Sequence, residues 1–350
     1  MPKVISTSEQ QSIINSVSNG RTLKVAALAG TGKTSTLVMI ANAYPNKKGL
    51  YLAYNKALQL EAQKKFPAWI ECKTIHGLAY RDYGLKFRNQ LALRADPTDL
   101  ISKLDIEEFQ INININSESI TLTTSKILAW TNDIIRHFTF SNRSTIELED
   151  IQWFVEAEVS KSAPLLTKKG DSYQEHKNLI DDFYASFSNT LLTYARTLWR
   201  LQSSITNTEV PAEHDTYLKL YQLSQPKITE YDYIMLDEAQ DANPCILDIL
   251  LNQICQIIYV GDQHQQIYAY RGTVNAMEKI NADTHYLTQS FRFGEAIAGE
   301  ANVILKNLKS PSNIKGLLSI NSCLGFERGP YTFIARTNAK LIEACVDRIG

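Results

Sequence analysis

The stretch "KVAALAGTGKTSTLVMIANAY", residues 24–44, limits what this chain can fold into more than any other. An apolar run leads into a turn with two glycines, then Lys33-Thr34, then residues at helical spacing. A strand that turns tightly into a helix presents the helix's first free N–H groups to the turn, and those groups favour anions. Over Ala27–Thr34 the turn reads A-L-A-G-T-G-K-T. The expected phosphate cradle is Ala27, Leu28, Ala29, Gly30, Thr31, Gly32, Lys33, Thr34 and Ser35. Gly30 and Gly32 let backbone N–H groups turn inward, Lys33 reaches β- and γ-phosphate oxygens, and the Thr34 hydroxyl can ligate Mg²⁺. A strict pattern has glycine where Ala27 stands. A plain glycine-rich turn is the alternative, and the Lys-Thr pair in strand-to-helix context weighs against it.

A phosphate loop needs an acidic strand end beside it. "YDYIMLDEAQD" (231–241) supplies one: an apolar strand ending in Asp237-Glu238. Asp237 is placed to hold Mg²⁺, directly or through water, and Glu238 is the candidate base for an attacking water. A lone D-E pair is often an exposed loop; directly after a buried strand, in a chain with a phosphate loop, that reading weakens. ATP with Mg²⁺ is the expected ligand.

Short apolar runs recur at 22–28, 49–55, 231–236, 255–262, 284–290 and 330–336, several followed by helix-like stretches at 33–44, 56–66, 294–308 and 338–349. Near-continuous apolar strands alternating with helices predict a parallel sheet covered on both faces, an α/β fold. Between 85 and 215 the rhythm stops and helical spacing dominates, with "INININ" (111–116) suited to a short edge strand. The expected organisation is a first α/β domain of 1–84 plus 216–284, a helical insertion of 85–215, and a second α/β unit beginning at 285. The chain has 350 residues and net charge −1, so bulk charge points to no polyanion. The charge is uneven: 85–215 carries 13 Lys/Arg against 19 Asp/Glu, the remainder 23 against 18. A nucleic-acid contact therefore belongs on the remainder rather than on the insertion, with a solvated charged surface as the alternative. The five cysteines are scattered and never spaced C-x-x-C, which predicts neither a disulfide framework nor a zinc site and fits a reducing cytosol. No run of 18 apolar residues occurs, so no membrane helix is expected.

An ordered set of motifs then carries a family resemblance. "DEAQD" (237–241) followed by "VGDQHQQIYAYRG" (260–272) resembles motifs II and III of superfamily 1 helicases of the UvrD/Rep/PcrA type. "LTQSFR" (287–292) resembles motif IV and "FIARTNA" (333–339) the segment after it. "TSEQQ" (7–11) resembles the Q motif, "LAYNKA" (52–57) motif Ia and "TIHGLAYR" (74–81) the next DNA-contact motif. The Y-N-K of motif Ia and "HDTYLKLYQL" (214–223) look closest to the F-box DNA helicase branch, although no F-box is apparent.

The resemblance implies a RecA-like ATP-binding domain, split by the insertion, and the start of a second RecA-like domain. It implies that Gln10 reads the adenine edge, Gln265 senses the γ-phosphate, and Arg292 stabilises transition-state charge. Tyr54, Asn55, Thr74, His76, Tyr268, Tyr270 and Arg271 would contact single-stranded DNA or single/double-strand junctions, the tyrosines by stacking on bases. Read singly, Gln10 could be a solvated residue, Arg292 a surface ion-pair residue, His76 a turn cap, and Tyr268 a core residue. The implied activity is ATP hydrolysis coupled to three-prime to five-prime movement in repair or recombination, in a nucleoid or nucleus. No counterpart of motif V or VI is found. The chain is therefore expected to be an amino-terminal portion, or half of a split helicase whose other half another polypeptide supplies. Two other classes fit some features: a regulatory ATP- and DNA-binding module without motor activity, and a phosphoryl-transfer enzyme of nucleotide metabolism.

Overall fold

The computed structural model describes residues 6–113, 118–152, 154–155, 173–207, 209–266, 276–325, 332–335 and 337–349. The strands among them are β1 (Leu23–Ala27), β2 (Gly49–Ala53), β3 (Ile70–Thr74), β4 (Phe109–Ile113), β5 (Glu118–Leu122), β6 (Tyr233–Leu236), β7 (Gln256–Gly261) and β8 (Asp283–Leu287). β4 and β5 form an antiparallel hairpin; the other six make one sheet in the order β3-β2-β6-β7-β1-β8. Every pairing in that sheet is parallel. The helices used below are α1 (Ser8–Val17), α2 (Lys33–Ala43), α3 (Lys56–Lys65), α4 (Ile75–Tyr80), α5 (Pro97–Leu104), α6 (Thr124–Phe140), α7 (Tyr173–Gln202), α8 (His214–Leu223), α9 (Pro244–Leu251), α10 (Glu295–Asn307) and α11 (Asn338–Ile349).

The central strands read as unbroken apolar runs because each of their faces meets a different core. Leu50, Leu52, Ile234, Leu236, Ile257 and Tyr259 face a core closed by Ile75 and Leu78 of α4, Tyr217 and Tyr221 of α8, and Ile246 and Leu250 of α9. The residues between them, Tyr51, Ala53, Tyr233, Met235, Ile258 and Val260, face a core closed by Ile13 and Val17 of α1, and Leu37 and Ile40 of α2. Each fully buried aliphatic chain contributes about 1.5–3 kcal/mol, so slipping a strand by one residue would exchange every partner on both faces. The register places the carboxyl ends of β6, β7 and β1 side by side, and the loops at 237–241, 262–266 and 28–32 gather there.

Two strands depart from the expected pattern. β3 lies at the sheet edge; it carries Glu71 and Lys73, which pair with each other at 2.9 Å, and so breaks the apolar run. β8, expected to open the second domain, instead pairs with β1 from Leu23↔Asp283 to Ala27↔Leu287 and forms the opposite edge. The first compact unit accordingly runs to Gln289 and includes the insertion; the second is Ser290–Gly350.

The insertion has a core of its own, with Leu104 of α5, Ile127, Ile134 and Phe138 of α6, and Phe187, Leu191 and Leu198 of α7. Of the Asn-rich segment, residues 111–113 lie in a strand, β4, paired with β5 from Phe109↔Leu122 to Ile113↔Glu118, and the rest lies outside the described residues. A buried lysine joins insertion to sheet: Lys219 of α8 donates to the carbonyls of Ser141 (2.8 Å) and Arg143 (2.6 Å), just past the end of α6.

In the second unit, α10 holds the loop after it through Asn302, which donates to the Ile314 carbonyl at 2.9 Å and accepts its N–H at 2.8 Å. α11 is present as expected. Residues 332–335, within the run expected as a strand, are not in one, and Phe333 and Ile334 are exposed. A strand needs a hydrogen-bonded neighbour, and among the described residues of this unit none pairs with that segment.

Candidate nucleotide-binding site

β1 delivers the chain to the phosphate turn. Ala27 is its last residue, buried and in register with Leu287, so extended backbone suffices there and glycine is not required. Leu28 then donates its N–H to the Leu287 carbonyl (3.0 Å), and the Thr31 hydroxyl closes the turn on the Leu28 carbonyl at 2.8 Å. Gly30 (φ 72°) and Gly32 (φ 81°) adopt the left-handed conformation that side-chain-bearing residues avoid. Gly32 sits at the amino-terminal cap of α2 with no side chain to occupy the first N–H groups. Those donors and the helix dipole are what an anion would use. Ala29 borders the turn half-buried, whereas Ser35 is exposed on α2.

Across the turn, β6 ends in the acidic pair. Lys33 Nζ lies 2.5 Å from Glu238 Oε2. Asp237 is nearly buried and accepts three hydrogen bonds: from Thr34 Oγ1 (3.0 Å) and Tyr51 Oη (2.9 Å) on one oxygen, and from the Glu238 N–H (3.0 Å) on the other. Burial, and then the neighbouring Glu238 charge, push the Asp237 carboxyl above its usual range, while Tyr51, Lys33 and Thr34 oppose the rise. Burial and the Asp237 carboxylate likewise keep the Tyr51 phenol protonated. Glu238 is held at φ 51°, a left-handed conformation that costs of order 1–3 kcal/mol for a residue other than glycine. That backbone aims its carboxylate at Lys33. Among the described residues there is no cluster of three metal-ligating side chains. Mg²⁺ does not need one: it is commonly held by one or two protein oxygens, phosphates and waters, and the Thr34 hydroxyl beside the Asp237 carboxylate fits that donor set.

Three polar residues to which the sequence reading assigned no role, Tyr51, Gln240 and Asp262, complete the site. Gln240 donates to Glu238 Oε2 at 2.9 Å and accepts the Asp262 N–H at 3.0 Å; Asp262 accepts from Gln265 Nε2 at 2.7 Å. Glu238 is thus wired through Gln240 and Asp262 to Gln265, from the end of β6 to the end of β7. Gln240 and Asp262 stand inside the two quoted motifs but were given no role there, and Tyr51 lies outside every motif; the Tyr51–Asp237 and Gln240–Asp262 bonds follow from strand order.

Gln10 is buried rather than solvated. Its Oε1 accepts the Thr7 N–H (3.0 Å) in a capping box, and its Nε2 donates to Thr36 Oγ1 (3.1 Å) on α2. Arg292 falls in the second unit, exposed, with its N–H on Ser290 Oγ at 3.2 Å.

The four described DNA-contact candidates cluster at the ends of β2 and β3. Asn55 caps α3 through Leu58 N–H (2.9 Å) and Thr74 caps α4 through Gly77 N–H (2.9 Å). His76 Nε2 is 2.9 Å from Asp215 Oδ1. Tyr54, His76, Phe140, Asp215 and Asn243 help line a cavity of about 200 Å³ between the sheet and the insertion. Tyr268, Tyr270 and Arg271 lie outside the described residues.

A parallel sheet, a two-glycine turn at a helix amino terminus, and a Lys-Thr pair facing a buried Asp-Glu pair define a P-loop nucleotide-binding domain. Comparison with known proteins narrows this further: an AAA domain family matches residues 10–271. The chain belongs to that family, in its UvrD/PcrA-like superfamily 1 helicase group. It is similar to F-box DNA helicase 1 of Gallus gallus, with 32% identity over 98% of this chain and 32% of the relative. It is also similar to F-box DNA helicase protein 1 of Schizosaccharomyces pombe, with 33% identity over 96% of this chain and 38% of the relative. ATP-dependent DNA helicase PcrA of Staphylococcus aureus matches at 32% identity over 28% of this chain and 15% of the relative. The chain thus spans about a third of the length of the two F-box relatives.

Proposed function

We propose that this chain provides the ATP-binding first domain, and the opening of the second, of a DNA helicase that moves three-prime to five-prime along single-stranded DNA in repair or recombination. The observation that carries the reading is the approach of Lys33 and Thr34 to Glu238 and Asp237 at neighbouring strand ends. In this reading the turn's N–H groups and Lys33 bind the triphosphate, which requires Lys33 to exchange Glu238 for phosphate oxygen. Thr34 and Asp237 would hold Mg²⁺, which would supply charge neutralisation to the triphosphate. Glu238, released from Lys33, orients the attacking water and takes its proton. Gln265 reports the change through Asp262 and Gln240. Arg292 supplies positive charge to the transition state. Tyr54, Asn55, Thr74 and His76 hold the unpaired strand without reading its bases. A helicase acting so works where DNA is, in nucleoid or nucleus.

The second unit supports a requirement for further helicase polypeptide. Ile297, Val303, Ile304, Ile342 and Val346 leave α10 and α11 with exposed apolar side chains. Apolar surface of this kind belongs in contact with more protein, and the remainder of a second RecA-like domain is the proposed cover. The same observation keeps a second reading in play, an ATP- and DNA-binding module that acts only through a partner.

The test is ATP turnover with and without a single-stranded oligodeoxynucleotide, on this chain alone and on a version extended through a complete second domain. The motor reading expects DNA-stimulated turnover in the extended protein, abolished by Lys33→Ala. Nucleotide binding with no stimulation by DNA in the extended protein would leave the module reading in its place.

A further inference from the structure

Two ties meet at the end of β8. The Leu287 carbonyl accepts the N–H of Leu28, which opens the phosphate turn. One residue on, buried Thr288 is gripped by both oxygens of Glu9: Oε2 accepts its N–H at 2.8 Å and Oε1 its hydroxyl at 2.5 Å. Glu9 stands next to Gln10 in the first turn of α1, a turn locked by the Thr7–Gln10 capping box. Gln10 in turn bonds Thr36, whose hydroxyl donates to the Gly32 carbonyl of the phosphate turn at 3.0 Å. A single helical turn therefore touches both the nucleotide loop and the strand end. Ser290 begins the second unit two residues after Thr288, and Arg292 follows four residues after it. An acid in a helix's first turn is ordinarily explained by the dipole, which it can satisfy while facing water. That explanation does not require both carboxylate oxygens to close on one buried residue 279 positions away.

We propose that Glu9 is a positioning residue: by clamping Thr288 it couples occupancy of the nucleotide site to the segment that carries Arg292. The coupling rests on the ATP reading above. It is transmitted as rigidity, since a ligand that seats on Gln10 and the phosphate turn fixes α1, and Glu9 then fixes the strand end.

Amide hydrogen exchange on the whole chain tests this without depending on turnover. The probe is adenylyl imidodiphosphate with Mg²⁺. In the wild type it should slow exchange about tenfold at residues 28–36 and again at 286–293, the order expected for one charge-assisted hydrogen bond. In Glu9→Ala the protection at 28–36 should persist and that at 286–293 should fall to within about twofold of the free protein. Thr288→Val, which keeps the N–H bond and loses the hydroxyl bond, should show an intermediate loss and serves if Glu9→Ala does not fold. Tripolyphosphate, which lacks adenine, should protect 28–36 alone. Equal protection of 286–293 in wild type and Glu9→Ala would overturn the role of Glu9. So would its protection by tripolyphosphate, because the tie would then run through Leu28 and Leu287. Absence of protection at 28–36 in the wild type would sink the nucleotide reading itself, and the coupling with it.

Discussion

Glu238 and Lys33 hold each other at 2.5 Å, so the base and the phosphate-binding cation compete with the ligands they would serve. Glu238→Gln should relieve that competition: nucleotide affinity, measured by titration with a fluorescent ATP analogue, stays level or rises. Turnover in the extended protein falls by about a hundredfold or more, the contribution of a positioned base. Tyr51 offers a second prediction. Its hydroxyl is one of three donors on the Asp237 carboxylate, and its ring packs 4.8 Å from that of Phe66. Tyr51→Phe keeps the ring and removes a bond that lowers the Asp237 pKa, so the already raised carboxyl rises further and holds its proton more readily. The Mg²⁺ concentration needed for half-maximal nucleotide binding should increase about tenfold, as expected for loss of one hydrogen bond to a charged group. An unchanged Mg²⁺ requirement would remove Asp237 from the proposed ion site. Lys33, Thr34, Asp237 and Glu238 were legible in the sequence because each is contiguous with the turn or strand that positions it. Tyr51 was not: its partner Asp237 is the residue after β6, and only the β2-β6 pairing brings them together.

Among the elements, β2, β6 and β7 were legible because burial on both faces writes itself as an apolar run, β1 through Leu23, Val25 and Ala27 buried on one face, and the helices after β1 and β2 followed from spacing. β3 was hidden by the two charges an edge strand tolerates, and β8 was found but assigned to the wrong sheet. Its own residues are mostly exposed and carry no mark of which neighbour they join. The end of β7 shows how tightly the central strands are fitted. At Gly261 an added Cβ would lie 2.5 Å from Gln240 Oε1 and 3.0 Å from the Gln240 backbone nitrogen, where a backbone atom cannot swing aside. Gly261→Ala should destabilise the protein by about 1–3 kcal/mol through overpacking and break the Gln240 bridge between Glu238 and Asp262. Gln240→Ala provides the control, since it removes the side-chain part of the clash. Denaturant melts of both single variants and the double variant should show Gly261→Ala costing less in the Gln240→Ala background. Equal cost in both backgrounds would place the strain on the backbone contact alone.

At the scale of the whole chain, the insertion is legible as a block, by its helical spacing and acid excess, but not its attachment. That attachment centres on Lys219, which occupies an inward position of an otherwise ordinary amphipathic helix. Its ammonium is fully buried above the Phe138 ring (4.5 Å), with two carbonyls as its hydrogen-bond acceptors and Asp150, Asp248 and Cys245 as its charged and titratable surroundings. Desolvation outweighs those neighbours and lowers its pKa from 10.5 to about 8. Between those values the unfolded chain holds a proton that the folded one has released, so the lysine's contribution to stability rises with pH through the window and is least favourable below it. Buried Cys72 and Cys245, raised to about 11 and about 12, push the other way once pH passes the ordinary thiol range. Lys219→Met keeps both thiols, removes the lysine's titration and with it the ammonium's lowering pull on Cys245, a change that acts in the same direction on the difference between the two proteins. The stability of wild type relative to Lys219→Met, measured by urea unfolding at steps from about pH 7.5 to about pH 10, should therefore climb with pH. A flat difference would mean that the ammonium keeps its proton, the two carbonyls and nearby acids having offset its burial. A falling difference would reverse the sign of the shift and make the latch a net attraction between the insertion and the ATP-binding sheet.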